Sequence, residues 1–377
     1  MEDKLVIIAP DSFKGTLSAS QVCDAIEAGI KSADNKIKTV KIPVADGGEG
    51  TVSALCGDNI VRRTVSGPFG ECIDSFYGIS PNGTGVIEMS AAAGLPLAEG
   101  KLNPMTASTY GVGELILHAV KSGIQKIAIG LGGSCTNDAG CGIASALGVR
   151  FTDSDGLEFI PAGGTLSRVE HINIDAAKQL LSGVEIEIMC DIDNPLYGRN
   201  GAAYVFAPQK GADDRTVKLL DVGLVHISEV IKRELGCDVS ALPGGGAAGG
   251  CGAGLAAFLG GRVRSGIDVV LDASGFDDYL QNAGLVITGE GHFDSQSING
   301  KVADGIAGRL AGSKIPLVLL AGGDAEVSDA YRKGITAVFS IQHEPAAFSE
   351  AKGHSYEYLR RTAENVTRLF LSAAKHN

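Results

Sequence analysis

Lys4-Leu-Val-Ile-Ile-Ala-Pro-Asp-Ser-Phe-Lys-Gly15 sets an apolar, β-branched run directly against a loop of proline, carboxylate, hydroxyl, amine and glycine. The spacing of Val22, Ile26 and Ile30 then predicts a helix over Ser18–Ser32, with Ser18 and Gln21 in capping-box arrangement. Lys38–Ala45 is again strand-like, so the chain opens strand, loop, helix, strand. The same grammar returns near the other end in Gly284–Thr288, Ile315–Leu320 and Ala337–Ile341, with helical segments between them. Runs apolar on both faces mark a parallel sheet covered by helices.

These five strands would make a doubly wound sheet of flavodoxin size, interrupted after its second strand. Inside the interruption, Ile60–Met89 alternates and carries Gly-Pro and Pro-Asn-Gly turns, which predicts antiparallel hairpins. Helices are expected over Thr106–Ser122, Cys141–Leu147 and Thr216–Leu235, and strands over Lys126–Gly130 and Val184–Cys190. The expected fold class is therefore α/β, a flavodoxin-like doubly wound parallel sheet interrupted by a large inserted second α/β domain. The expected boundaries are 1–60 plus 275–377 for the discontinuous first domain and 61–274 for the insertion, with the active site in the cleft between them.

Composition narrows the function. Of 377 residues 53 are glycine, about twice the usual share, yet no three-residue period runs through the chain. Net charge is −12, from 32 basic and 44 acidic residues without long blocks, so no nucleic-acid partner is expected. Apolar stretches such as Ile315–Ala321 fall far short of the roughly 18–20 residues that span a bilayer. Leu5–Ala9 is too short for a signal-peptide core, so a cytoplasmic protein without a membrane partner is expected. The eight cysteines form no C-x-x-C pair and read as reduced thiols.

Chemistry gathers at the carboxyl ends of the expected strands, where open α/β sheets bind ligands. Asp11, Ser12 and Lys14 follow the first strand and Asp46-Gly-Gly-Glu-Gly50 the second, where acids flanked by glycines suit magnesium or a sugar-like hydroxyl; a helix cap and a tight turn are the alternatives. Gly132, Gly133, Ser134, Thr136, Asn137 and Asp138 lie between strand and helix, a setting for a phosphate or carboxylate. Gly244, Gly246 and Gly249 match G-x-G-x-x-G, but a helix, not a strand, is expected before them, which disfavours a dinucleotide site. Their loop could cradle phosphate through its amides or serve tight helix packing. Thr288-Gly-Glu290-Gly-His292-Phe-Asp294 and Lys301 offer carboxylates and a cation, and Cys190-Asp191-Ile-Asp-Asn194 and Pro208-Gln-Lys210-Gly211 are similar clusters. No Walker A, H-R-D or G-x-S-x-G motif occurs.

Together, Ala9–Gly15, Pro43–Gly50, Gly132–Asp138, Asp191–Leu196, Pro208–Gly211 and Ile287–Gly291 through Asp294-Ser-Gln296 and Gly300-Lys301 resemble the bacterial glycerate kinase family, in order over nearly the whole chain. The resemblance implies transfer of the ATP γ-phosphoryl group to D-glycerate, dependence on Mg2+ and the interrupted two-domain fold. The family often has glycine at Ala139 and arginine at His292. In this reading Asp191, Asp294 and Lys14 are catalytic, with Asp191 or Asp294 holding magnesium, and Asp11, Ser12, Asp46, Asn194 and Lys301 bind substrate. Gly132, Gly133, Ser134, Thr136, Asn137, Asp138, Lys210, Gly245, Gly246 and Glu290 bind nucleotide. Phosphorylation at the 2-hydroxyl is slightly preferred over the 3-hydroxyl, and monomer and homodimer stay open. A nucleotide-dependent oxidoreductase and a non-catalytic small-anion sensor are the rival readings.

Overall fold

The computed structural model describes residues 5–13, 15–45, 47–48, 50–291, 302–322, 327–344 and 352–374. In chain order its strands are β1 (Leu5–Ile8), β2 (Thr39–Lys41), β3 (Ile60–Ser66), β4 (Cys72–Ile79), β5 (Gly85–Glu88), β6 (Lys126–Gly130) and β7 (Arg150–Thr152). They continue with β8 (Glu158–Phe159), β9 (His171–Asn173), β10 (Glu185–Met189), β11 (Arg262–Arg264), β12 (Ala283–Glu290), β13 (Leu317–Ala321) and β14 (Ala337–Ser340). The chain divides into two compact units, Met1–Asp46 with Val270–Asn377, and Gly47–Val269.

The first unit holds a five-stranded sheet in the order β14-β13-β12-β1-β2. Every pairing in it is parallel. Numbered within the unit, that is the order 2-1-3-4-5 of a flavodoxin-like doubly wound sheet. β12 and β13 are buried along their whole length, as strands covered on both faces must be. The helix Ala19–Ala33 opens with the expected capping box, Gln21 N–H donating to Ser18 Oγ at 3.3 Å and Ser18 N–H to Gln21 Oε1 at 2.9 Å. Its Val22, Ile26 and Ile30 are buried with Val6, Ile8, Leu285 and Leu359. At about 1.5–3 kcal/mol per fully buried aliphatic side chain, this face holds the helix to the sheet. Gly29 allows the helix Ser355–Ala374 to approach it, since a Cβ there would strike the Arg360 carbonyl. Beyond β2 the ladder continues without strand geometry, Ile42 N–H donating to Ile8 O at 2.8 Å and Val44 N–H to Pro10 O at 3.0 Å.

The second unit holds a six-stranded sheet in the order β11-β10-β6-β5-β4-β3. β3, β4 and β5 are the expected antiparallel run, and β5, β6, β10 and β11 are parallel. A small antiparallel sheet, β8-β7-β9, stands apart from it. Its two- and three-residue strands are too short for alternation to announce them. The helix expected over 106–122 begins only at Tyr110, because Thr109 turns its amide and hydroxyl to Asp138 instead. The helix Asp214–Leu235 is capped by Asp213, whose side chain accepts from Thr216 N–H. No helix among the described residues is long and apolar enough to cross a membrane.

Candidate active site

Register brings the chemistry of the second unit to one edge of its sheet. Gly130 pairs with both Glu88 and Met189, and Met189 pairs with Arg264, so four parallel strands end level. The loops that follow them start at Met89, Leu131, Cys190 and Ser265.

Two of these strand ends, β6 and β10, are locked to the Gly47-Gly48 segment through glycine. At Gly130 the room for a Cβ is filled by the Gly47 carbonyl, and at Gly132 by Gly48 Cα, 2.8 Å away. Gly47, at φ +82°, stands 2.8 Å from Met189 Cβ by the same measure. Glu88 completes the arrangement. The helix Thr51–Cys56 starts at Gly50, which has no side chain to cap it, and Glu88 Oε1 accepts Val52 N–H at 2.7 Å and Gly50 N–H at 3.1 Å in its place. Glu88 Oε2 accepts the Ser90 hydroxyl at 3.3 Å. The sequence reading passed over Glu88 and Ser90. The available signal was a carboxylate closing the otherwise apolar run Gly85-Val-Ile.

The run from Gly132 to Asp138 is laced to its neighbour, Leu95 N–H donating to Gly133 O and Cys135 N–H to Ala93 O, both at 2.9 Å. Gly132 is half-buried and Gly133 exposed, whereas Ser134 to Asp138 are buried. Asp138 is saturated by protein donors: Oδ2 accepts from the Thr109 amide and hydroxyl at 2.8 Å each and from Gly142 N–H at 3.3 Å, and Oδ1 from Gly140 N–H at 3.1 Å. Burial nevertheless pushes its carboxyl above the usual range. Asp138 therefore anchors the helix Cys141–Ala146 from within. Thr136 Oγ1 and both side-chain atoms of Asn137 are buried without a protein partner. Ala139 adopts φ 52°, a left-handed conformation that glycine takes freely.

Lys210 is buried in this unit, its Nζ donating to Ser134 Oγ at 2.9 Å and to Thr136 O at 2.7 Å. Loss of water lowers its ammonium to about 8. Gly245 and Gly246 are buried as well: the space beside Gly245 is taken by Leu242 O at 2.9 Å, and that beside Gly246 by the Pro195 carbonyl. Farther along, a Cβ on Gly249 would meet the Thr136 carbonyl. Close packing of two loops is what these glycines serve here. Asn194 is drawn into the same packing, donating through Nδ2 to Asn200 O at 2.8 Å and accepting Gly246 N–H at 3.0 Å on its carbonyl.

Asp191, after β10, is exposed, and its Oδ1 accepts Gly266 N–H at 2.7 Å. No group of three or more His, Cys, Asp or Glu side chains among the described residues could hold a metal ion. One exposed carboxylate still fits magnesium, which keeps several waters and binds through one or two carboxylates plus substrate phosphates.

In the first unit, the crevice expected of this strand order lies where β1 neighbours β12. Thr288 Oγ1 donates to Ala9 O and Asp11 N–H to Gly289 O, both at 2.8 Å, which places Asp11 and Ser12 beside the end of β12. Ser12 N–H donates to Asp11 Oδ1 at 2.6 Å. Glu290 is buried and accepts Ala303 N–H at 3.2 Å, at the start of the helix Val302–Arg309. Lys14, Asp46, His292, Asp294 and Lys301 lie outside the described residues.

Comparison with known proteins agrees across nearly the full length. The model of the Glycerate kinase family matches residues 6–371. A glycerate kinase of Bacillus cereus (strain ATCC 10987 / NRS 248) is 44% identical over 378 residues, covering 98% of this chain and 99% of its own. A glycerate 2-kinase of Escherichia coli (strain K12) is 43% identical over 367 residues, covering 96% of each. A crystal structure described as that of a glycerate kinase 2 from Salmonella typhimurium LT2 is similar with a TM-score of 0.88 at 40% identity, covering 99% of this chain and 100% of that one.

Proposed function

The chain belongs to the glycerate kinase family and is an enzyme of that kind, and on that premise we propose that it transfers the γ-phosphoryl group of ATP to the 2-hydroxyl of D-glycerate in the presence of Mg2+. One observation supports the phosphate side: four parallel strands end level, and the Gly132-Gly133 segment reaches the surface there beside the Asp191 loop. The name of the Escherichia coli relative favours the 2-hydroxyl.

The amides of Gly132 and Gly133 then face the phosphates, as glycine-rich backbone can without side chains. Asp11 and Ser12 bind glycerate, and Lys14, Asp46 and Lys301 are assigned to the same acceptor. Of Asp191 and Asp294, one takes the proton of the attacking hydroxyl as its oxygen bonds to the γ-phosphorus and the bridging oxygen of ADP leaves; the other holds the metal. Bound magnesium supplies charge neutralisation on the phosphates. Positioning and electrostatics carry most of such a reaction.

Proton-coupled phosphorus NMR of the enzyme with D-glycerate, ATP and magnesium tests the reading. Phosphorylation at C2 gives a phosphomonoester signal split by one hydrogen, and phosphorylation at C3 one split by two. Appearance of the second pattern alone moves the product to 3-phosphoglycerate. Absence of any phosphoester removes the activity.

A further inference from the structure

A lysine buried in a protein core must be either neutral or well partnered, because stripping water from an ammonium is costly. Lys210 meets this demand with two protein acceptors inside its own unit. Its Nζ donates to Ser134 Oγ and Thr136 O, two atoms of one loop two residues apart. The charged and titratable groups facing it are Asp138, Cys135 and Cys251, all buried. The loop it holds is therefore fastened from beneath twice, by Lys210 at Ser134 and Thr136 and by Asp138 at Thr109, Gly140 and Gly142. What reaches the surface is the segment just ahead of these anchors, Gly132 and Gly133.

We propose that Lys210 is a positioning residue for phosphoryl transfer, fixing the Gly132–Thr136 loop from behind through Ser134 and Thr136, and that it makes no contact with the nucleotide. The proposal rests on the assignment of that loop to the nucleotide phosphates, and it replaces the sequence expectation of Lys210 as a direct phosphate cation. The direct role would require the buried ammonium to leave two good acceptors, Ser134 Oγ and Thr136 O. Its depressed basicity fits the positioning role, since a neutral amine keeps two N–H donors for the same two acceptors.

Acetylation of the wild-type enzyme with acetic anhydride, read by peptide mass spectrometry with and without a non-hydrolysable ATP analogue, tests this without a variant. Lys210 is expected to stay unmodified in both conditions while exposed lysines react. Modification that the analogue suppresses overturns the positioning role. Amide hydrogen exchange on the same samples separates this from failure of the parent reading. The analogue should slow exchange at Gly132 and Gly133, and unchanged exchange there removes the nucleotide loop and the proposal with it. A double-mutant cycle adds a kinetic readout. Lys210→Met and Ser134→Ala should each lower kcat/KM for ATP by roughly 10- to 100-fold, and the double variant should be no worse than the poorer single one. Losses that multiply overturn the proposal.

Discussion

The carbonyl oxygen of Gly47 occupies the space in which a side chain on Gly130 would begin. Two motifs more than eighty residues apart in the chain are thereby pressed backbone to backbone, and neither can carry a substituent at the point of contact.

Gly130→Ala should cost about 1–3 kcal/mol of stability, because carbonyl and strand must separate to admit the methyl group. Urea denaturation measures this, and the natural control is Gly308→Ala. Gly308 lies in the helix Val302–Arg309 with open space around it, so alanine there should change stability by less than about 1 kcal/mol, in the stabilising direction. Equal effects at the two sites would refute the packing argument.

Glu88→Gln keeps the size of the side chain but puts an amide where two amide donors and a hydroxyl converge. The amide oxygen keeps the two backbone donors only with the amide nitrogen facing Ser90, whose hydroxyl must then accept instead of donate, and all three bonds lose the carboxylate's charge assistance. A loss of about 1–3 kcal/mol in stability is expected, together with a fall in kcat/KM, because the Gly47–Gly50 loop is held through this residue. Thermal denaturation and steady-state assay on the same preparation check both; unchanged turnover would detach the loop from the reaction.

Asp191→Asn keeps one oxygen for the Gly266 amide and removes the negative charge. If Asp191 is the proton acceptor or the metal ligand, turnover falls by about 100-fold or more while the melting temperature stays near that of the wild type. A larger loss at low than at high magnesium would favour the metal role. Wild-type turnover would transfer both roles elsewhere.

Lys210 predicts a pH dependence of stability. Its basicity is lowered to about 8 in the folded protein, against about 10.4 in an unfolded chain. Between these values the unfolded state carries the extra proton, so stability rises with pH through this window and is lost as pH falls through 8. The contribution is on the order of 3 kcal/mol. It should appear as a difference between the wild type and Lys210→Met in urea unfolding at pH 7.5 and pH 10, and parallel pH profiles would contradict it.

The first unit was legible because its strands announce themselves. Leu5–Ile8, Ala283–Glu290 and Leu317–Ala321 are long enough and apolar enough on both faces that no other element fits them. The site was legible in its loops and less so in its roles. Glycine between acids marks a place where backbone must come close, yet the same residue serves a ligand or another loop, and only in the folded chain is it plain that Gly245 and Gly246 face protein. Lys210 illustrates the limit: a lysine between Gln209 and Gly211 looks exposed on every local criterion, and its burial is created by Ser134 and Thr136, more than seventy residues away. Glu88 was missed for the same reason, since the amides it caps belong to a helix that begins thirty-seven residues earlier.

The parallel pairing of β1 with β12 sets a timetable for synthesis. Leu5 stands opposite Ala283, so β1 can pair with β2 early but gains its β12 neighbour only after the whole second unit has emerged. The helix Ala19–Ala33 waits longer still, for Arg360 and Ala363. The second unit, contiguous from Gly47 to Val269, can therefore finish folding on the ribosome while β1 is held open, a nascent sheet edge for chaperones to guard.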